Sequence, residues 1–165
     1  MKNIAIGLLV VILISILIEP MTEMANVFRE KIIVSTALFN ACRAAKDRSL
    51  EYEMLRGLDA KIDEDKFKHY FADAFEDTLN VTRQSGVDNA MTFTSNDGKY
   101  NTFTVTLAFS ERKDFESNQL VSEVAVKAES LYKFKTKYLK LAEKASKDVD
   151  YQIIGERKLI LSVKH

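Results

Sequence analysis

Residues 4–18, "IAIGLLVVILISILI", form an uncharged run in which only Gly7 and Ser15 interrupt large aliphatic side chains, and Glu19 and Pro20 follow at once. No other stretch restricts the chain so strongly. A run with no polar face must be enclosed by protein or by lipid. As a helix, the fifteen residues reach about 22 Å at ~1.5 Å each, short of a hydrocarbon core of ~30 Å. Asn3 at one end and Met21, Met24 and Ala25 at the other can supply the missing length if the helix continues, or the bilayer can thin. A cleaved signal peptide has an apolar region of similar length, and Lys2 suits the basic start of both. A cleavage site needs small residues, however, and "SILIEPM" is bulky. The expectation is an uncleaved signal anchor over residues 1–20, with Ile4, Leu8, Val11, Ile14 and Leu17 in lipid. Lys2 on the short side and Glu19 and Glu23 on the other place the N-terminus in the cytoplasm and residues 21–165 outside it. The chain then reads as a single-pass protein of the cell membrane.

Pro20 sets the second constraint. Beyond it, Met21, Met24, Phe28, Ile32, Leu38 or Phe39, Cys42, Ala45, Tyr52 and Leu55 recur at three- and four-residue spacing, which predicts a helix over about 21–57 with Gly57 as its stop. Pro20 removes one backbone donor and crowds the carbonyl four residues earlier, or it opens a new helix at the first position. Helix lies on both sides in either case, with a bend expected at Pro20. A continuous helix from residue 4 to 57 would be roughly 80 Å long. Ala37, Ala41 and Ala45 lie in a small-residue stretch that lets another backbone or a sheet come close, within the chain or between copies.

The remainder reads as α+β. "LDAKIDEDKFKHYFADAFEDTLNV" predicts a second helix over about 63–80, capped by Asp63, with Ile62 and Phe67 as a hydrophobic staple. Its apolar stripe is Phe67, Tyr70, Phe71, Ala74, Phe75, Thr78 and Leu79. "TRQSGVDN" reads as a loop, after which the period changes to two. Met91 and Phe93, then Phe103, Val105, Leu107 and Phe109, mark inward faces of strands joined by a turn at Asp97-Gly98. "SERKDFESN" reads as a loop. Val124, Val126, Ala128, Tyr132 and Phe134 belong to a longer strand. "TKYLKLAEKASK" predicts a short basic helix with Tyr138, Leu141, Ala142 and Ala145 inward, and a closing hairpin turns at Gly155-Glu156 with Leu159, Leu161 and Val163 toward the core. The expected architecture is a long N-terminal anchoring helix, a second helix and a mostly antiparallel sheet of four or five strands over about 90–164.

Little in the composition points to a reaction. Lys plus Arg and Asp plus Glu number 24 each, so no overall field favours nucleic acid. Cys42 is the only cysteine, which excludes an intrachain disulfide and a CxxC pair and reads as a buried structural thiol. His69 sits among lysines on a predicted helix surface. No Ser/His/Asp set, metal-ligand spacing or Gly-rich phosphate loop can be assembled. The expectation is a non-enzymatic protein without cofactor or metal. Lys133, Lys135, Lys137, Lys140, Lys144 and Lys147, interleaved with aromatics, form a basic patch suited to anionic lipid, an envelope polymer or an acidic partner, or the solvated face of a helix.

A short basic start, an apolar helix half, an amphipathic half and then an antiparallel sheet is an order that resembles type IV pilin-like proteins. "ALFNACRAAKDRSLEYEMLRGLDAKIDEDKFKHYFADAFEDTLNV" is similar to the region after the membrane helix in TadE-like pilus-assembly proteins and related Gram-positive pilin-like proteins. The resemblance implies a membrane-anchored structural subunit of a pilus or secretion-type envelope assembly, with protein partners there and homo-oligomers among its options. That family is typically matured after a Gly with a Glu five residues on. Here Ile12 stands at that distance from Gly7, which favours an accessory subunit over a major pilin. The alternative is an anchored extracytoplasmic module whose sheet or lysine patch binds an envelope polymer or protein ligand.

Overall fold

A computed structural model describes residues 2–50, 61–87, 89–113, 120–145 and 150–161. Helix α1, Lys2–Ser49, is a single helix of 48 residues with Pro20 inside it, about 72 Å long at ~1.5 Å per residue. Every residue from Asn3 to Ile18 is exposed. Pro20 has no N–H for the Ile16 carbonyl, so one rung of the helix ladder is missing where the apolar run ends. The helix continues regardless, and the Thr22 hydroxyl donates to the Ile18 carbonyl at 2.8 Å.

Past Pro20 one side of α1 becomes buried: Glu23, Val27, Glu30, Val34, Ala37, Leu38, Ala41, Cys42 and Ala45. Their spacing of three and four residues is that of one helical seam. Of the predicted stripe, Leu38, Cys42 and Ala45 are buried, while Met21, Met24, Phe28 and Ile32 are exposed, as is Phe39, the alternative to Leu38. Two glutamates occupy inward positions, so hydrophobicity alone sets the phase of the seam wrongly. Ala37, Ala41 and Ala45 are fully buried in the core of this chain, so their small side chains serve packing within the monomer. α1 ends at Ser49, earlier than Gly57. There the Ser49 carbonyl accepts the Asp63 N–H at 3.0 Å, and Leu50 bridges antiparallel to Ile62. Tyr52, Leu55 and Gly57 lie outside the described residues.

Helix α2, Glu64–Leu79, starts as its sequence predicts. The Asp63 carboxylate accepts the Lys66 N–H at 3.0 Å, and Ile62 and Phe67 are both buried. It ends at Asn80 in the left-handed conformation, φ 53°. Its inner rings stack along the helix, Phe67 on Phe71 and Phe71 on Phe75. Phe67 meets Phe109 edge-on at 5.6 Å and Phe75 meets Phe103 edge-on at 5.8 Å. These contacts fasten α2 to the sheet.

The sheet is a five-stranded antiparallel meander in sequence order: β1 Val81–Val87, β2 Ala90–Ser95, β3 Phe103–Lys113, β4 Leu120–Leu131 and β5 Gln152–Leu161. The fold class is α+β, with one sheet face buried under α1 and α2. The "VTRQSGV" segment, partly read as loop, is the edge strand β1, bulged between Arg83 and Ser85. An edge strand needs only one neighbour and tolerates polar residues, so the alternating apolar signal is missing. β3 extends to Lys113, into the stretch expected as loop, because Glu111 to Lys113 pair with β4.

The expected hairpin at Gly155 is absent. β5 runs straight through it, with Gly155 opposite Ala128. A Cβ at 155 would lie 3.3 Å from Leu38 Cδ2 and 3.7 Å from Val34 Cγ1, so this glycine serves the close approach of β5 to α1. Leu159 is half-buried and Leu161 buried, while Val163 lies outside the described residues. The turn at Asp97-Gly98 forms as read: Gly98 has φ +66°, and the Asp97 carboxylate accepts the Lys99 N–H at 2.9 Å. Gly155→Val should cost about 1–3 kcal/mol through overpacking and Gly155→Ala less, read as a lowered Tm of the full chain in detergent micelles.

Candidate functional site

The polar constellation that α1 carries into its own buried seam begins one residue beyond the apolar run. Glu23 is 2 % exposed and Glu30 1 %; two helical turns separate them. The segment that leaves β4, residues 132–138, crosses α1 at this level. Glu23 Oε1 accepts the Tyr132 hydroxyl at 2.5 Å and the Lys135 N–H at 2.9 Å. Its Oε2 accepts the Thr136 N–H at 2.7 Å. The Lys135 ammonium forms an ion pair with Glu30. Glu19 Oε2 accepts the Tyr138 N–H at 3.2 Å. Three acids of one helix thus hold one short crossing segment.

The donors explain why carboxylates do this work. Helix α3, Lys137–Ala145, follows the crossing segment. The first N–H groups of a helix lack intrahelical acceptors and carry partial positive charge; Glu19 takes the one at Tyr138, and Glu23 takes the Lys135 and Thr136 N–H groups that lead into the helix. Burial pushes the Glu23 carboxyl up, but the Tyr132 hydroxyl and the Lys135 and Thr136 N–H groups outweigh it and hold the group below its usual range. Burial, the hydrogen bond to Glu23 and the charges of Glu23 and Glu30 push the Tyr132 phenol far up. It stays a neutral donor. The chemistry of the arrangement is that of a clamp, with its carboxylate saturated by donors.

The anchor residues Ile4, Leu8, Val11, Ile14 and Leu17 lie exposed on α1, in a helix long and apolar enough to cross a membrane, with a mean hydropathy of 2.7 over its most apolar window. The six lysines do not form one patch. Lys135 is committed to Glu30, and Lys133 Nζ donates to the Gly98 carbonyl at 2.5 Å. Lys137, Lys140 and Lys144 are exposed on α3, and Lys147 lies outside the described residues. The expected inward face of α3 is also absent. None of its residues is buried; Tyr138 is 70 % and Leu141 54 % exposed, and Ala145 is exposed. Held at its start by Glu19 and Glu23, α3 packs Leu139 against the core, and among the described residues Leu139, Ala142 and Glu143 form its half-buried side.

His69 is exposed on α2, 3.5 Å from Asp73. Cys42 is buried, and burial pushes its thiol up to about 12 against the opposing pull of Arg157. The outer sheet face carries an open groove of about 610 Å³ bounded by Thr106, Ala108, Ala125, Lys127, Glu129 and Arg157. Within it Lys127 pairs with Glu129, two residues along β4, at 2.7 Å. Comparison of the chain with protein-family models, curated proteins and solved structures finds no match.

Sequence reasoning missed the inward roles of Glu23 and Glu30. The available signal is their phase: 23, 27, 30 and 34 share the spacing of the buried seam. Glu23→Gln should cost on the order of 1.5–3 kcal/mol, the range for hydrogen bonds to a charged group. The folded pKa of Glu23 is lowered, so its contribution is present above the unfolded value of about 4.3 and is lost as pH falls through the folded value. Tm against pH in detergent should therefore drop more steeply for the native chain below that point than for Glu23→Gln.

Proposed function

We propose that the protein is a non-enzymatic, membrane-anchored structural or accessory subunit of a pilus or secretion-type envelope assembly. Its N-terminus is cytoplasmic and its α+β domain extracytoplasmic. One observation carries the reading. α1 passes as one helix from a wholly exposed apolar segment into the core of the domain, so the domain is joined to the anchor by helix rather than by a loop.

The outward side of that helix supports a role in assembly. Met21, Met24, Phe28, Ile32 and Phe39 are 48–67 % exposed and fall on one narrow face at helical spacing. They continue the apolar surface of the anchor beyond the membrane. An exposed apolar row, here Met21 to Ile32, marks a contact with another protein, and a helix face of this kind packs against another helix. The pilin-like order of elements supplies the class of machine. The groove on the outer sheet face supports a second reading, an anchored module for an envelope polymer or protein ligand, although Lys127 and Glu129 there already satisfy one another.

A crosslinking experiment tests assembly through this face. Cys42 is buried with a raised thiol pKa, so Ile32→Cys supplies the reactive thiol. A short bis-maleimide applied to native membranes should yield adducts with a second copy or a partner, and adding Phe28→Glu should reduce them several-fold without lowering Tm. Monomer alone after crosslinking would count against assembly through α1.

A further inference from the structure

We infer that α3 is an interfacial helix that lies on an anionic headgroup layer beside the anchor, so that the domain is held to the bilayer at two places. This rests on the anchor reading proposed above. The sequence of the helix, KYLKLAEKA, sorts by face. At about 100° per residue, Tyr138, Leu141 and Ala145 share one sector, with Lys137, Lys140 and Lys144 along its flank. Leu139, Ala142 and Glu143 occupy the side that the protein half-covers. A nine-residue helix gains most of its stability from packing its apolar face. Here that face is open.

Position identifies the occupant. The Tyr138 N–H rests on Glu19, which directly follows Ile18, the last residue of the exposed apolar run. The first turn of α3 is therefore tied to the turn of α1 at which the uncharged run ends. It does not run back over the anchor, because Leu17 and Ile18 stay exposed. At that level the surrounding medium is the headgroup layer, and any protein partner would have to displace lipid to reach the face.

The side chains fit the layer. Tyr favours the interface, Leu141 can enter the acyl boundary, and lysine stems lie along apolar surface while their ammonium groups reach phosphate. Among the described residues no carboxylate pairs with Lys137, Lys140 or Lys144. Their charge is available to anionic lipid, which attracts each such residue near its surface.

The chain contains no tryptophan, so Tyr138→Trp places a single fluorophore on the proposed face. The full-length variant is reconstituted in phosphatidylcholine vesicles and in vesicles enriched in phosphatidylglycerol, each with acyl chains brominated near the headgroup. Leu13→Trp in the same vesicles, brominated at mid-chain, reads insertion of the anchor. The expected result is quenching of Leu13→Trp in both lipids. Tyr138→Trp should be quenched and blue-shifted strongly in phosphatidylglycerol and weakly in phosphatidylcholine. Reversing Lys137, Lys140 and Lys144 to Glu should abolish that difference with circular dichroism unchanged. Quenched Leu13→Trp with unquenched Tyr138→Trp overturns the inference and leaves the anchor standing. Equal quenching of Tyr138→Trp in both lipids overturns the anionic preference. Unquenched Leu13→Trp overturns the anchor and this inference together.

Discussion

Glu23 places a buried carboxylate on the same helix as the apolar run, five residues past its end, and most of the lower domain is organised around it. A buried charge is costly unless hydrogen bonds satisfy it. Here a phenol and two backbone N–H groups do so, and all three come from the segment that leaves β4. The long sequence separation between donors and acceptor makes this a tertiary tie. It sets how β4 ends, where α3 begins and how close the sheet comes to α1 just past the apolar run. Glu30 and Glu19 extend the same tie by one ion pair and one further N–H.

The clamp also accounts for the division of α1 into two unequal faces. With Glu23 and Glu30 turned inward, Val27, Val34, Leu38, Ala41 and Cys42 follow them into the core. Met21, Met24, Phe28, Ile32 and Phe39 are left outside. Small residues on the inner face let the sheet and α2 approach, and Gly155 does the same from the strand side. Of the apolar residues on the outer face, Phe39 lies under the Arg157 guanidinium, while Met21, Met24, Phe28 and Ile32 stay exposed. That asymmetry is the basis for reading α1 as both the spine of a domain and an assembly surface.

Much of the fold was legible because its elements carry strong local signals. The apolar run, the Asp63 cap, the aromatic stripe of α2 and the alternation of Phe103, Val105 and Leu107 each depend on neighbours within a few residues. The errors fall where a distant partner decides. "VTRQSGV" becomes a strand only because β2 is there to pair with it. Gly155 reads as a turn until α1 is known to lie against it. The lysine patch dissolves because Lys133 and Lys135 are drawn to Gly98 and Glu30 from elsewhere in the chain.

By itself the sequence determined that an uncharged helix stands at the front and that an α+β unit follows, since periodicity and the absence of charge are properties of short segments. It also determined that helix continues past Pro20, because the stripe resumes at once. Only the tertiary structure decided which side of that helix is core. Hydrophobicity would have put Met21 and Phe28 inside and the glutamates outside. The reverse holds because hydrogen bonds from a segment more than a hundred residues away outweigh the desolvation of Glu23.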